Sequence, residues 1–256
     1  MATALAVAFV VYSCKGKLGE AEVLDLKETP VQIVNDMFIV QSENSRMQMR
    51  AEAPLMEKYE NDEAAYDLEV NGVKQGKISI SKALEMEDWD VITFQQASYL
   101  SVDYESYQPY LNNLFNEVKK VCGSTKFYIH ETWSYERDKK SAVLEKYNNS
   151  PNEMHRALKS AYKMAAEAIN APIIPVGDVI QHLRDTVLEF DYKNGGLSFN
   201  SDGMHLSQTY GRYVAALVWY GMLYQKDLRE VSFIPPEADE KLINMLKNSV
   251  YEALKK

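Results

Sequence analysis

An aspartate and a histidine three residues apart carry the strongest chemical signal in the sequence. They are Asp202 and His205, in the glycine-containing stretch Ser201–Ser207 (SDGMHLS). A loop of this kind can fold the carboxylate onto the imidazole, where it accepts the Nδ1–H bond, so that Nε2 acts as general base toward a serine hydroxyl. The spacing equally suits an aspartate that only binds loop amides beside a histidine that merely precedes a helix. Spacing alone therefore leaves both interpretations open.

Two glutamines stand at the end of a predicted strand. Gln95 and Gln96 follow the apolar, β-rich run Trp89–Phe94. Side-chain amides in this position can donate hydrogen bonds to an oxygen that becomes negative during acyl transfer. Ordinary hydrogen bonding within the loop is the alternative, because glutamine is common at strand ends.

A third polar group follows the predicted strand Lys126–His130 and reads HETWSY from His130 onward. Its His–Glu pair raises the question of a metal site. The HExxH spacing of a helical zinc site is absent, because Ser134 stands where the second histidine would be. We therefore expect His130 and Trp133 to line a pocket, with no metal ion and no other cofactor.

From about residue 64 the chain alternates strands and helices. The predicted strands are Trp89–Phe94, Lys126–His130 and Ile173–Val176, and the predicted helices are Tyr107–Val121, Asn152–Ile169, Val179–Val187, Ser207–Tyr224 and Glu237–Lys255. This alternation predicts a parallel sheet flanked by helices, whose ligands bind beyond the carboxyl ends of the strands. His155 and His182 fall in predicted helices as ordinary surface or partly buried side chains, and Cys122 is expected to be a buried thiol.

The part of the chain from about Ala64 to the C terminus resembles the SGNH (GDSL-type) hydrolases. The stretches that carry the resemblance are ALEMEDWDVITFQQASYLS, YQPYLNNL, HETWSY, IIPVGDVIQHLRD and SDGMHLSQTYGRYVAALVWYGML. The resemblance implies a flavodoxin-like three-layer α/β/α sandwich with a parallel sheet, and hydrolysis of esters, often of acyl groups on glycans. It implies that Asp202 and His205 are the acid and base of a catalytic triad. Gln95 or Gln96 would stand in the region of the oxyanion-stabilising side chain, where typical members have Gly-x-Asn-Asp.

The serine nucleophile of such a triad is not identified. The family begins with a strand that runs into Gly-Asp-Ser or Gly-Asn-Ser and then a helix, and no such block is recognisable here. Met37–Val40 followed by Ser42 and Ser45 imitates a strand that ends in serine. However, Arg46–Ala53 alternates with period two, which predicts a second strand instead of the helix that a nucleophile elbow needs. The domain 64–256 is therefore expected to lack its first strand and its nucleophile block. Ser45 and Ser42, which precede this domain, are the candidates for the nucleophile.

Residues 1–14 have the pattern of a secretion leader. The apolar run Ala4–Val11 is too short to span a bilayer but fits the core of a signal peptide. Ser13 before Cys14, followed by polar residues, is typical of a lipoprotein processing site, with Cys14 lipidated. This predicts membrane attachment through a lipid anchor and a place in the cell envelope, in the periplasm or at the surface. A buried N-terminal strand with an incidental cysteine is the alternative, and without a working leader the protein is expected in the cytoplasm.

Residues 15–63 are predicted to form a β-rich segment with a short hairpin, Met37–Val40 and Arg46–Ala53. Together with the leader, they resemble the N-terminal part of the lipoprotein that bridges the inner-membrane and periplasmic steps of lipopolysaccharide export. The resemblance rests on SCKGKLGEAEVLDLKETPVQ and MFIVQSENSRMQMRAEAPLMEKYEND. The change of character near residue 63 indicates a fusion, natural or artificial.

Composition limits the classes of function. The 256 residues are 46% hydrophobic and 25% charged, which is ordinary for a folded α/β domain. An excess of 37 acidic over 28 basic residues argues against a nucleic-acid partner. Two cysteines exclude a disulfide framework. Within these limits, the resemblance to the SGNH hydrolases implies an ester hydrolase with a small-molecule or glycan ester as substrate. The alternatives are an inactive binding or vestigial module of the same fold and an accessory fragment of lipopolysaccharide export.

Overall fold

The structure of the protein is a computed structural model. The residues that it describes are 7–14, 45–51, 64, 66–70, 73–86, 89–136 and 140–255. The predictions for Met37–Val40 and Ser42 lie outside this part of the chain. The described residues divide into two compact units. The first contains the strands and helices up to His130 together with Ser160–Ile173, and the second contains Glu131–Lys159 and everything described from Ile174 onward.

Seven strands form one sheet. They are β1 (Val7–Cys14), β2 (Ser45–Ala51), β3 (Tyr66–Val70), β4 (Val73–Ile78), β5 (Val91–Gln96), β6 (Lys126–His130) and β7 (Ile173–Ile174). Their order across the sheet is β4-β3-β2-β1-β5-β6-β7. β5 and β6 are parallel, which confirms the predicted α/β class with a parallel sheet. The pairs among β1 to β4, and the pair of β1 with β5, are antiparallel instead. The short β3–β4 connection explains one of these pairs, because parallel strands need a long crossover.

β1 occupies the stretch in which the sequence favours a secretion leader. Val11 is in register with Met49 of β2 and with Ile92 of β5, so β1 is hydrogen-bonded on both sides. An apolar run suits such a strand as well as it suits the core of a signal peptide. Signal-peptide cleavage before Cys14 would remove all of β1 except its last residue, so a cleaved leader and an intact β1 exclude each other. The lipid anchor at Cys14 stays a prediction. The predicted strand Arg46–Ala53 is confirmed as β2.

Two helices and half of a third belong to the described part of the first unit. They are α1 (Ile80–Glu85), α2 (Tyr110–Val121) and the second half of α4 (Pro151–Ile169). Phe115 of α2 packs edge-on against Phe94 and Phe127, at ring distances of 6.0 Å and 5.1 Å. α2 begins at Tyr110, three residues later than predicted, because the residue before a proline avoids helical backbone angles and Pro109 immediately precedes this helix. Cys122 is buried, as predicted, and its thiol donates to the carbonyl oxygen of Leu84 at 3.8 Å.

Helices in the second unit build its apolar core. They are α3 (Ala142–Glu145), the first half of α4, α5 (Val176–Thr186), α6 (Gly211–Tyr224) and α7 (Glu240–Leu254). α5, α6 and α7 pack on one another through buried aliphatic side chains, among them Ile180, Val214 and Leu246. Within the described residues, no helix combines the length and the hydrophobicity that crossing a bilayer requires.

A glycine at the start of α5 sets the distance between this helix and the chain that follows β6. A Cβ atom on Gly177 would lie 2.0 Å from the carbonyl oxygen of Thr132 and 3.4 Å from Cδ of Glu131. The Gly177 amide also donates a hydrogen bond to the Glu131 carbonyl, at 3.3 Å. α5 therefore approaches the backbone of residues 131–132 more closely than any side chain allows.

Gly177→Ala is expected to lower the free energy of unfolding by about 2–3 kcal/mol, because backbone must shift to make room for the methyl group. Urea denaturation of both proteins measures the difference. Gly221→Ala in α6 is the matched control. Its Cβ would meet only the ends of the Leu254 and Leu228 side chains, which can move. Equal destabilisation by the two variants would contradict the close approach.

Candidate active site

The side chains of Asp202 and His205 contact each other. Oδ2 of Asp202 lies 2.8 Å from Nδ1 of His205. The second carboxylate oxygen, Oδ1, accepts hydrogen bonds from the backbone amides of His205 at 2.7 Å and Met204 at 2.9 Å. The carboxylate thus makes both kinds of contact that the sequence left open, with the loop amides and with the imidazole, while the role of His205 as general base stays a prediction.

These hydrogen bonds decide the charge of the carboxylate. Burial by itself would raise the pKa of Asp202, but the bonds from the His205 amide, the His205 ring and the Met204 amide outweigh it and hold this pKa well below its usual range. An ionised carboxylate requires Nδ1 of His205 to donate, which places the lone pair of the neutral ring on Nε2. The two side chains are 44% and 35% exposed, so small molecules reach the pair from solvent.

The loop that carries the pair is closed by its own backbone. Asn200 and Leu206 form an antiparallel bridge, and the Ser201 amide donates to the His205 carbonyl at 2.8 Å. Gly203 lies at the tip with a φ of +79°, a left-handed conformation that glycine adopts without strain. The glycine in the sequence pattern is therefore the residue that lets the carboxylate turn back onto the histidine.

Residues 131–136, called here the β6 extension, hold this loop from one side. The indole Nε1 of Trp133 donates to the carbonyl of Met204 at 2.7 Å. The backbone amide of Glu136 donates to the carbonyl of Gly203 at 2.8 Å. The sequence places Trp133 near a pocket, and the structure places its buried ring against the backbone of the candidate catalytic loop.

A buried ion pair ties the loop, the β6 extension and α5 together. The guanidinium of Arg184 donates to the Glu136 carboxylate at 3.2 Å, to Oδ1 of Asn200 at 2.8 Å and to the Ser134 carbonyl at 3.2 Å. Ser198 donates to the same Glu136 carboxylate at 2.7 Å. Burial lowers the pKa of Arg184 and the neighbouring Glu136 charge opposes this effect, and an arginine stays protonated in either case. Sequence patterns did not indicate this network, whose members are far apart in the chain.

The two glutamines are engaged within the first unit. Oε1 of Gln95 lies 2.6 Å from Nδ1 of His130. Nε2 of Gln96 donates to the carbonyl and the hydroxyl of Ser106, at 3.1 Å and 3.2 Å, and Gln96 is fully buried. His130 is buried as well, and its burial lowers its pKa to about 3, so the ring is neutral. An oxyanion role for either glutamine stays a prediction, and for Gln96 it requires the amide to leave Ser106.

Glu131, His155 and Asp178 form a second polar cluster, inside the second unit. Nε2 of His155 lies 3.0 Å from Oδ1 of Asp178, and the Asp178 amide donates to Oε2 of Glu131 at 3.2 Å. Burial, reinforced by the charge of Asp178, raises the pKa of Glu131 to about 8. Burial also acts to raise the pKa of Asp178, but His155 and Lys159 outweigh it and lower this pKa.

His155 was predicted to be an ordinary surface or partly buried side chain, and no sequence pattern indicates that it joins Glu131 and Asp178. A usable signal was the position of Glu131 directly after β6 and of Asp178 in the first turn of the helix after β7. The carboxyl ends of neighbouring parallel strands bring such residues together.

The chain matches the model of a domain of unknown function, DUF4886, over residues 50–253. It belongs to the DUF4886 family. A crystal structure of a DUF4886 family protein from Bacteroides uniformis is similar to it, with 30% identity, a TM-score of 0.70 and coverage of 78% of this chain and 77% of that one. The DUF4886 match begins within β2 and includes the β6 extension and the Asp202–His205 loop.

Two further solved structures align less well with the DUF4886 chain. One is described as "a putative SGNH hydrolase" from Slackia heliotrinireducens, with 25% identity, a TM-score of 0.40 and coverage of 54% of this chain and 68% of that one. The other is described as "a putative GDSL-like lipase" from Parabacteroides merdae, with 18% identity, a TM-score of 0.35 and coverage of 48% and 50%. None of the curated proteins matches the chain significantly.

Trp133→Phe is expected to loosen the Asp202–His205 loop, because phenylalanine keeps an aromatic ring but cannot donate to the Met204 carbonyl. Amide hydrogen exchange in residues 201–206 should accelerate, and the free energy of unfolding should fall by about 1 kcal/mol. Trp89→Phe is the matched control, since its indole donates to the Ala83 carbonyl in the first unit. Unchanged exchange in residues 201–206 of Trp133→Phe would refute the clamping role.

The pH dependence of stability is expected to show two opposing contributions. Unfolded His130 takes up a proton below pH 6.5 and the folded one only near pH 3, so its contribution to stability is lost as the pH falls through this window. Unfolded Glu131 loses its proton above pH 4.5 and the folded one only near pH 8, so its contribution is lost as the pH rises. Between pH 4.5 and 6.5 the two slopes, each up to about 1.4 kcal/mol per pH unit, oppose each other.

Single variants separate the two contributions. In His130→Gln only the Glu131 contribution remains, so the free energy of unfolding should fall as the pH rises. In Glu131→Gln only the His130 contribution remains, so the free energy of unfolding should rise with pH up to about 6.5. Urea denaturation from pH 4 to 8 in EDTA-containing buffer measures both, as the difference between each variant and the unmodified protein. A difference that is constant over this range would show that the group in question titrates alike in the folded and unfolded chain.

Proposed function

We propose that the protein is a serine ester hydrolase of the SGNH type, which removes an acyl group from a glycan or a similar small ester. The observation that supports this most strongly is the Asp202–His205 pair. Its carboxylate is held ionised by two backbone amides, its imidazole is oriented through Nδ1, and the pair is partly exposed to solvent. A general base in the correct tautomer is the part of a hydrolase that this geometry supplies.

The chemistry of this pair follows from its hydrogen bonds. Nε2 of His205 takes the proton of a serine hydroxyl while the serine oxygen attacks the ester carbonyl carbon. The alcohol then leaves with the proton from Nε2, and an acyl-serine remains. A water molecule, deprotonated by the same nitrogen, hydrolyses this acyl-enzyme and returns the serine. Asp202 stabilises the imidazolium in both steps without taking the proton itself.

The serine is the open part of the proposal. Several described serines of the second unit already bind other groups. The Ser207 hydroxyl accepts the amide of Gly211, the first residue of α6, Ser198 binds Glu136, and Ser134 binds Gln181 and Arg184. Ser45 and Ser42 remain the proposed candidates. Ser45 begins β2, which continues as a strand, and its side chain lies outside the described part of the structure, as does all of Ser42.

Further features of the proposal rest on the sequence. Gln95 is the proposed oxyanion donor, with Gln96 as the alternative, and a place in the cell envelope through the Cys14 anchor is proposed with them. A role in lipopolysaccharide export is the least supported of the sequence interpretations, since the family match begins at residue 50 and overlaps only the end of the segment that suggested it.

The test is hydrolysis of an activated acetyl ester by the purified protein. Asp202→Asn should lower kcat by about 10,000-fold and His205→Ala at least as much, because the base loses its orientation or is absent. His182→Ala, which removes a histidine on α5, is the control and should keep the full rate. Turnover that persists in His205→Ala would overturn the mechanism, and no turnover in the unmodified protein would favour a binding module of the same fold.

Labelling with a fluorophosphonate, followed by peptide mapping, identifies the serine. The label is expected on a single serine, and it should fall sharply in His205→Ala, since an unactivated hydroxyl reacts slowly. Ser45→Ala should abolish labelling if that residue is the nucleophile, whereas Ser207→Ala should not. A label distributed over several surface serines, unchanged in His205→Ala, would contradict a triad.

A further inference from the structure

The Glu131–His155–Asp178 cluster has the composition and spacing of a metal site. One nitrogen of His155 and one carboxylate oxygen from each acid lie within 4.8 Å of one another. The three residues come from the β6 extension, from α4 and from α5, and all belong to the second unit. Glu131 is 2% exposed, so part of this cluster is closed to solvent.

Two buried polar atoms in the cluster have no hydrogen-bond partner among the described residues. Oε1 of Glu131 accepts no hydrogen bond there, although Oε2 of the same carboxylate accepts the Asp178 amide. Nδ1 of His155 is buried without a partner as well, while Nε2 faces Asp178. A buried carboxylate oxygen without a partner is costly, and native proteins satisfy such atoms with a hydrogen bond or an ion.

We propose that Glu131, His155 and Asp178 bind a divalent zinc ion. Zinc takes imidazole nitrogen together with carboxylate oxygen and needs three or four protein ligands. Magnesium and calcium prefer sites made of oxygen alone, so the imidazole favours zinc over both. The ion would satisfy the Glu131 carboxylate and hold the β6 extension against α4 and α5. This site is separate from the proposed base, because His205 and Asp202 have their own partners in the loop.

Lys159 contacts one of the three proposed ligands. Its Nζ lies 2.6 Å from Oδ2 of Asp178, and its side chain is 61% exposed. A flexible, exposed ammonium group at this carboxylate can move into solvent when a divalent cation binds. Removing its charge should therefore strengthen zinc binding, whereas removing any of the three ligands should weaken it.

The experiment is calorimetric titration of the full chain with zinc chloride after dialysis against EDTA. One equivalent is expected to bind, with a rise in melting temperature that millimolar magnesium does not reproduce. His155→Asn and Asp178→Asn should each weaken binding by more than about tenfold. Lys159→Met, which keeps the aliphatic stem, should bind zinc more tightly than the unmodified protein.

Two further histidine variants serve as controls for adventitious binding. His205→Asn and His182→Asn should both retain the site. No saturable binding, or equal affinity in His155→Asn and the unmodified protein, would overturn the proposal, as would a loss of binding in His205→Asn alone. Circular dichroism of each variant tests whether it is folded. Lys159→Met tests the site without removing a ligand, because it is expected to tighten binding. Zinc binding is measured without any ester, so its failure is distinguishable from a failure of the proposed hydrolase activity.

Discussion

Three segments of the second unit converge on the buried guanidinium of Arg184, and the candidate active site depends on this convergence. α5 supplies the arginine, the β6 extension supplies Ser134 and Glu136, and the loop before α6 supplies Asn200. The ion pair is almost completely closed to solvent, so the loss of one partner would leave a buried charge uncompensated, at a cost of about 3–5 kcal/mol. Asn200 also forms one side of the bridge that closes the Asp202–His205 loop. The position of the partly exposed Asp202–His205 pair thus depends on the buried hydrogen-bond network around Arg184.

The β6 extension has several roles within a few residues. Its backbone at Thr132 admits α5 only because Gly177 has no side chain. Trp133 and the Glu136 amide donate hydrogen bonds to the loop that carries Asp202 and His205. Glu131, at its start, turns a carboxylate toward His155 and Asp178. A single stretch of irregular backbone after a strand therefore determines where the helix, the loop and the polar cluster lie within the unit, which is typical of functional loops on a rigid scaffold.

Much of this arrangement could be predicted from the sequence where the signal is local. Period-two and helical patterns gave β2, β5, β6 and the helices α4 to α7 to within a few residues, and the Asp-x-x-His spacing indicated the carboxylate–imidazole contact. Contacts between distant segments could not be read in this way. Glu131, His155 and Asp178 meet only after the β6 extension, the first half of α4 and α5 have packed within the second unit. The apolar run in β1 is compatible with both a leader and a strand. Its pairing with β5 joins residues that are about 80 positions apart, so no local pattern could predict it.

Three hydrogen bonds join the Asp202 carboxylate to the Met204 amide, the His205 amide and the His205 ring. Both partner residues lie in the stretch between Asn200 and Leu206, which are bridged to each other. The contact between Asp202 and His205 is thus formed within a few consecutive residues, while Trp133 and Glu136 hold this stretch from outside. Grafted onto the tip of an unrelated hairpin with the same closing bridge, residues 200–206 should keep the carboxylate–imidazole contact. The new scaffold would have to replace the hydrogen bonds that Trp133 and Glu136 donate to the loop.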